Sequence, residues 1–440
     1  MIDTILTILG TLIFLPWIIQ TISTKWQQEV WHRQVFVATL SFELIATLYI
    51  PSVMYIGLGA LMLSLGIYLV KERPKMRLTP LFAIALLYFI WYAISLLWSA
   101  APKKGAQFLL DNGLVLVGIS AITCLANLKK GEYIQILQQF CYAACAFIIL
   151  GLISWVVSSF EINLPLWEWP ILRKALVGSN YSYSWLFRFL GGTNGYIHPS
   201  YNLLPIFISM PIAAWLKKET DRHTWLWIFI WAGGLLLTLV AQSRMGIIYS
   251  VIILICDSIY MLSSRKMKIL VATGYLLIGL ITFVCSISFW KDYGSDHTRD
   301  LLQQYTIRYI KEKPLTGAGA GALNPIEICH TINEKSWPNV GYIAPNAQVS
   351  DWKSKARMLP HNQWLADWAH AGILAALITL ALYICIAIRC YTVGNYWGCL
   401  FILVFTIFSL LEPPLYIGKG LYLFWLLSSL IYIAPQKETI

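Results

Sequence analysis

The feature that most limits what this chain can fold into is a succession of apolar runs parted by short basic connections. The runs lie near residues 5–22, 35–50, 53–70, 78–98, 107–125, 134–158, 201–215, 225–241, 245–262, 269–289, 373–388, 396–411 and 415–433. Most approach the ~20 residues that carry a helix across a hydrocarbon core ~30 Å thick. The pair around Pro51 is short for that task. Isolated strands cannot satisfy their backbone groups in lipid, so the runs are predicted to be helices. Composition agrees: 58% hydrophobic residues, 12% charged residues and a mean hydropathy of +0.66 exceed what a soluble domain carries. The 20 tryptophans and 24 tyrosines suit membrane interfaces. Residues 1–440 are thus expected to form one all-α polytopic membrane domain with about 12–13 transmembrane helices. The first run lacks a basic N-terminal cluster and exceeds a signal-peptide core, so it reads as a retained span.

Orientation follows from the basic residues. Lys71, Arg73, Lys75 and Arg77 crowd one connection; Lys129 and Lys130, then Lys217, Lys218 and Arg222, then Arg265, Lys266 and Lys268, then Arg389 mark others. An even number of spans separates any two of them, so all share one side, cytoplasmic by the positive-inside rule. The C-terminus with Lys437 lies on that side, and Lys103 and Lys104 fall on the other. The side of the N-terminus depends on whether residues 35–70 cross twice. This parity places segments 159–200 and 291–371 outside, both too long for simple turns and too polar for spans. The second carries Trp337, Trp352, Trp364 and Trp368, too aromatic for disorder. Eight of the nine cysteines lie in or beside spans, leaving Cys329 without an external partner. The outer loops are therefore expected to do without disulfides, and no Cys or His pair has zinc spacing.

Chemistry is expected where charge meets the outer surface. Gln242-Ser243-Arg244 alone interrupts the run from 225 to 262, a tight hairpin that holds Arg244 at the outer boundary. Arg244 is either a snorkelling anchor or a phosphate-binding fork. Residues 295–314 read as an external helix capped by Asp296 or Thr298 and stopped by Pro314. At 100° per residue, Arg299 shares a face with Leu302, Gln303, Thr306 and Ile310, while Arg308 points away. Asp292, Asp296, His297 and Asp300 resemble no metal motif and read as a solvated helix start. The Leu315-Thr-Gly-Ala-Gly-Ala-Gly321 turn is either a phosphate cradle or a tight bend. Asn362 is a good N-cap, which puts His361 at the positive end of a helix. That field should favour the neutral imidazole a general base requires, although a structural hydrogen bond would equally suit the residue.

Taken in order, Gln242-Ser-Arg-Met-Gly, Arg299 before Pro314 and its glycine-rich sequel, and His361-Asn362 before an Ala-Gly-containing span resemble the O-antigen ligase superfamily. That superfamily includes O-antigen polymerases and bacterial protein O-oligosaccharyltransferases. The earlier Arg188-Phe-Leu-Gly-Gly-Thr-Asn-Gly-Tyr-Ile-His198-Pro-Ser-Tyr-Asn202 is similar to the family's Arg-x-x-Gly…Pro-Asn element but carries Ser200-Tyr201 before Asn202. The resemblance spans about residues 188–382. It implies a fold like that of the polytopic (GT-C-like) membrane glycosyltransferases, with a long periplasmic helical loop. It also implies an activity in the bacterial inner membrane, with the active site on the periplasmic side. A glycan would pass from undecaprenyl diphosphate to lipid A-core, to another lipid-linked repeat, or to a protein hydroxyl. O-antigen ligase is the leading reading.

On that reading Arg244 and Arg299 bind the departing diphosphate, His361 takes the acceptor proton, and the anomeric carbon inverts. Arg188, Asn362 and His198 are the candidate substrate contacts. No metal, cofactor or nucleic acid is expected; the partners are the lipid-linked donor, the hydroxyl acceptor and membrane lipids. A lipid-linked glycan transporter is the alternative of another class. It would place ionisable groups at mid-membrane, where Glu43 and Asp257 are the candidates.

Overall fold

The computed structural model describes residues 2–24, 26–49, 51–99, 101–161, 187–190, 199–241, 243–274, 297–321 and 360–435. Among them the chain is helical with no strand. Helices α1 (Ile2–Gly10) and α2 (Leu15–Ser23), joined by a 3-10 turn, make the first span. The antiparallel pair α3 (Trp31–Ala46) and α4 (Pro51–Glu72) follows, then α5 (Pro80–Ser95), α6 (Pro102–Phe108), α7 (Leu114–Leu125) and the long α8 (Lys130–Glu161). Next come α9 (Pro199–Thr220), α10 (Thr224–Val240) and α11 (Arg244–Met261). The helix α12 (His297–Glu312) and the short α13 (Gln363–Ala371) precede the last apolar helices α14 (Ile373–Thr392), α15 (Tyr396–Leu411) and α16 (Gly418–Ile433).

Six stretches are long and apolar enough to cross a membrane: Thr4–Ser23, Ser52–Glu72, Pro80–Trp98, Pro102–Leu125, Lys130–Ser158 and Ile373–Thr392. Four shorter apolar helices, α10, α11, α15 and α16, are packed among them. Local signals start these helices where the apolar runs begin. The Thr79 hydroxyl accepts from Phe82 N ahead of Pro80, and the Asn395 carbonyl accepts from Gly398 N at 3.0 Å. Pro205 and Pro211 sit inside α9, buried from residue 200 to 214, so neighbouring helices compensate for the lost backbone bonds. α16 is apolar all round and buried almost throughout, which makes it the central column. Leu63, Val70, Ile149, Leu377 and Ile384 are exposed on the outer helices, as lipid-facing positions should be.

The basic connections converge at one end. His32 Nε2 is 2.9 Å from Glu72, Arg33 donates to Glu132 at 2.8 Å, and Lys130 is 3.2 Å from Glu219. Lys218 donates to the Tyr260 carbonyl and Arg389 to that of Tyr432. Residues 35–70 form two antiparallel helices, of which α4 is long and apolar enough to cross a membrane: Thr39 meets Ser64 at 2.6 Å, and the turn between them lies at the opposite end. There the Tyr49 hydroxyl donates to the Thr7 carbonyl, so α1 begins at the end away from the basic connections.

The two intramembrane carboxylates differ in their surroundings. Asp257 accepts from the Tyr396 hydroxyl at 2.6 Å and from Trp227 Nε1 at 3.2 Å, a static tie between three helices. Glu43 is buried, with neither carboxyl oxygen hydrogen-bonded among the described residues, and its carboxyl presses on Gly57 of α4. An Ala at Gly57 would require the Glu43 carboxyl to shift.

Candidate active site

The end opposite the basic connections gathers the residues singled out by the sequence. Asn362 caps α13, its side-chain oxygen accepting from Leu365 N at 3.0 Å, while its amide donates to the Leu410 carbonyl at 3.2 Å. The expected cap is there, and it also ties α13 to the end of α15. His361 precedes the cap, and its Nδ1 lies 3.0 Å from Glu412 Oε2. The Glu412 side chain is 6% exposed and the imidazole 31%, so the carboxylate is the inner partner and the ring faces outward. An Nδ1–H donated to Glu412 leaves Nε2 as the acceptor nitrogen on the open side.

Glu412 is held by the end of α15. Its N–H bonds the Phe408 carbonyl at 2.8 Å, and Pro413 and Pro414 prevent the helix from continuing. Around Phe408 the ends of three helices meet. Tyr201 of α9 packs edge-on at 5.0 Å, and Tyr249 of α11 lies 6.3 Å away. At the head of α11, the Ser243 hydroxyl accepts from Gly246 N at 3.1 Å, which makes Arg244 the first helical residue. The tight hairpin is as the sequence implied. The Arg244 side chain lies outside the described residues, as does Gln242.

α12 forms as expected and ends at Glu312, ahead of Pro314. Thr306 and Ile310 are buried against α13, and Gln303 Nε2 reaches the His361 carbonyl at 3.4 Å. Arg308 is exposed on the other side. Helix register puts position 299 on the face of 303, 306 and 310, the face that meets α13. The Arg299 side chain is outside the described residues, as are Asp292, Asp296 and His198 entirely. Arg188 opens a 3-10 turn, Arg188–Leu190, packed on α1; its side chain is likewise outside them.

The glycine-rich turn after Pro314 is a bend and not a phosphate cradle. Ala318 N and Gly319 N donate to the Ala369 and His370 carbonyls at 2.9 and 2.7 Å, and Ala320 N to the Ser95 hydroxyl at 3.1 Å. Amides so engaged cannot hold an anion. Gly317, Gly319 and Gly321 have φ of +61°, +88° and +75°, values only glycine adopts freely.

Asp367 anchors α13 from beneath. Its Oδ1 accepts from the hydroxyls of Tyr88 (3.0 Å), Tyr92 (2.7 Å) and Tyr416 (2.9 Å). Its Oδ2 accepts from Gln363 (2.9 Å) and Thr379 (2.7 Å). Burial pushes this carboxyl above the usual carboxylate range, while bonds from Gln363, Tyr92, Thr379 and Tyr416 pull it back. Gln363 Oε1 also accepts from Leu415 N, so one network fixes both the helix after His361 and the loop after Glu412. His370 is the other histidine of this helix. Burial pushes it down to about 3 against the opposing bond to the Ala366 carbonyl, and its ring stacks on Tyr416 at 4.9 Å. It is a packed neutral ring without access to substrate.

Two further residues belong here that the sequence reading passed over. Glu412 is one; the other is Lys419, buried in the first turn of α16 and donating to Asn202 Oδ1 at 2.7 Å. Lys419 had been absorbed into the span at 415–433. A lone acid between two apolar spans, on the same side as the long loop by parity, was the signal available for Glu412.

Against this geometry, residues 227–380 match the family model described as O-antigen ligase. This stretch belongs to the O-antigen ligase superfamily. The O-antigen ligase match runs from α10 through Arg244, Arg299 and His361 into α14, and it leaves Glu412 and Lys419 beyond its limit. A search of the curated proteins returned no match. The chain is accordingly a multi-pass membrane protein with an O-antigen ligase or polymerase type of domain, a family of glycosyl-transferring enzymes that act on lipid-linked glycans.

Proposed function

We propose that the protein transfers a glycan from undecaprenyl diphosphate to an acceptor hydroxyl at the periplasmic face of the inner membrane, with lipid A-core as the leading acceptor. The observation that carries this reading is the His361–Glu412 pair, a half-exposed imidazole oriented by a buried carboxylate. Nε2 of His361 takes the proton of the acceptor hydroxyl as its oxygen attacks the anomeric carbon. The bond from that carbon to the phosphate oxygen breaks, undecaprenyl diphosphate leaves with the electron pair, and the carbon inverts. Glu412 holds the ring and stabilises the imidazolium that forms. Arg244 and Arg299 are assigned to the diphosphate, whose growing negative charge two guanidinium forks match without a metal. Arg188, Asn362 and His198 remain proposed substrate contacts; Asn362 acts at least by fixing the helix that follows His361.

The test is transfer by purified protein supplied with one lipid-linked glycan and three acceptors in parallel: lipid A-core, a second lipid-linked repeat, and a Ser/Thr-bearing pilin. Product on lipid A-core alone supports the ligase. Product only on the repeat or only on pilin moves the protein to the polymerase or protein O-oligosaccharyltransferase branch. Transport of the glycan across vesicles with no product on any acceptor would refute the transferase reading.

A further inference from the structure

At the basic end, far from His361, the tail of the first span and the starts of α3 and α8 enclose a cavity of about 200 Å³. Its walls include Thr24, Trp26, Arg33, Lys129, Glu132 and Gln139. Nothing in the proposed reaction uses it.

Three observations define what would fit. The first is charge. Arg33 and Glu132 form a bidentate pair, Arg33 also donating to the Asn127 carbonyl, so these two charges cancel. Lys129 is exposed, and among the described residues only its backbone N–H engages Glu132, which leaves its ammonium as an uncompensated charge on the wall. The second is a polar demand at the deep end. Gln139, 3% exposed and two turns into α8, has a buried side-chain oxygen with no hydrogen-bond partner among the described residues. Such an oxygen costs free energy until a donor reaches it. The third is position. The cavity lies at the level of the basic connections, and Trp26 at its rim is 46% exposed, as an interfacial aromatic would be.

We propose that this cavity binds the head group of a glycerophospholipid from the leaflet on the basic side, one whose phosphodiester is followed by a terminal hydrogen-bond donor. The phosphate meets Lys129 and the outer edge of the Arg33 guanidinium. The terminal hydroxyl or ammonium reaches Gln139 Oε1, and the acyl chains leave past Trp26 into the bilayer. Phosphatidylglycerol and phosphatidylethanolamine meet this description; phosphatidylcholine, with the same phosphodiester but no terminal donor, does not.

The proposal is tested by native mass spectrometry of the purified full chain in detergent, titrated separately with phosphatidylglycerol, phosphatidylethanolamine, phosphatidylcholine and glycerol 3-phosphate. Phosphatidylglycerol should bind well ahead of phosphatidylcholine. Lys129→Glu should weaken it about fivefold or more, the worth of one basic residue beside an anionic head group. Gln139→Leu, which keeps the volume and removes the acceptor, should narrow the gap between the two lipids. The control Lys103→Glu, at the other end, should leave binding unchanged. Equal binding of phosphatidylglycerol and phosphatidylcholine, or unaltered binding in both Lys129→Glu and Gln139→Leu, overturns the proposal. Glycerol 3-phosphate binding as tightly as the lipid overturns the lipid assignment, since the acyl chains would then contribute nothing.

Discussion

His361 and Glu412 are 51 residues apart in sequence, and the contact between them is made where one side chain joins the start of one helix to the end of another. Asn362 caps α13 and also bonds the last turn of α15, so the same residue that starts the histidine's helix holds the end of the glutamate's. If the imidazole is the base, His361→Ala lowers turnover roughly 10²–10⁴-fold with little loss of donor binding. Glu412→Gln, which still accepts a bond but cannot stabilise an imidazolium, should lower turnover less and leave KM near normal. Single-turnover rates with donor binding measured separately decide it; a His361→Ala defect confined to binding would make it a substrate contact and no base.

Arg299→Ala and Arg244→Ala are expected to abolish transfer while the protein still inserts, and lysine should rescue either poorly because it offers a point charge for a fork. Arg308→Ala is the internal control, since Arg308 is exposed on the far side of α12. Equal loss at 299 and 308 in a transfer assay would refute the face assignment.

His370 gives a pH dependence whose sign can be worked out. Its folded pKa lies at about 3 against an ordinary 6.5, so the unfolded chain binds the proton more readily between those values. Its contribution to stability is whole above pH 6.5 and is lost as pH falls below that, at up to about 1.4 kcal/mol per unit. Thermal unfolding from pH 8 to 4 should show a shallower decline in His370→Gln than in the parent protein. Parallel curves would mean that the ring is not neutral in the fold.

Three glycines with positive φ separate strain from crowding. At Gly394 (φ +63°) a methyl group meets open space, so Gly394→Ala should cost only about 1–2 kcal/mol. At Gly319 (φ +88°) the methyl would collide with the Ser99 backbone, and Gly317→Ala would place it 2.6 Å from the Ala369 carbonyl. Both of these should expose α12 and α13 to protease where Gly394→Ala does not; indistinguishable digests would show that the turn does not dock them.

Sidedness is open to direct measurement. In a background with Cys329 and the exposed Cys399 replaced, a cysteine at Lys103 should react with an impermeant thiol reagent from outside the inner membrane. One at Arg73 should react only after that membrane is broken. The reverse pattern would move the proposed site to the cytoplasm.

Much of this arrangement could be read from the sequence, because its strongest signals are periodic or local. Apolar runs gave the helices, Asn362 announced the cap of α13, and the 100° step separated Arg299 from Arg308. What could not be read was pairing across the bundle. Nothing near His361 in sequence points to Glu412, and Lys419 was hidden by the apolar average of its own span. Asp367 was passed over for the same reason: its five donors come from four separate elements. The glycine turn admitted two readings until its amides were seen to be already engaged.

The Asp367 bond to Thr379 spans the break at Gly372 and makes the short helix below His361 continuous in stiffness with α14. α14 is long and apolar enough to cross a membrane, and a span answers a thinner or thicker bilayer by changing its tilt. Whatever tilt the host membrane imposes on α14 is therefore carried, by a lever only nine residues long, to the imidazole at its tip. With His361 as the proposed base, acyl-chain length becomes a mechanical input to the reaction, and transfer is expected to run at different speeds in membranes of different thickness.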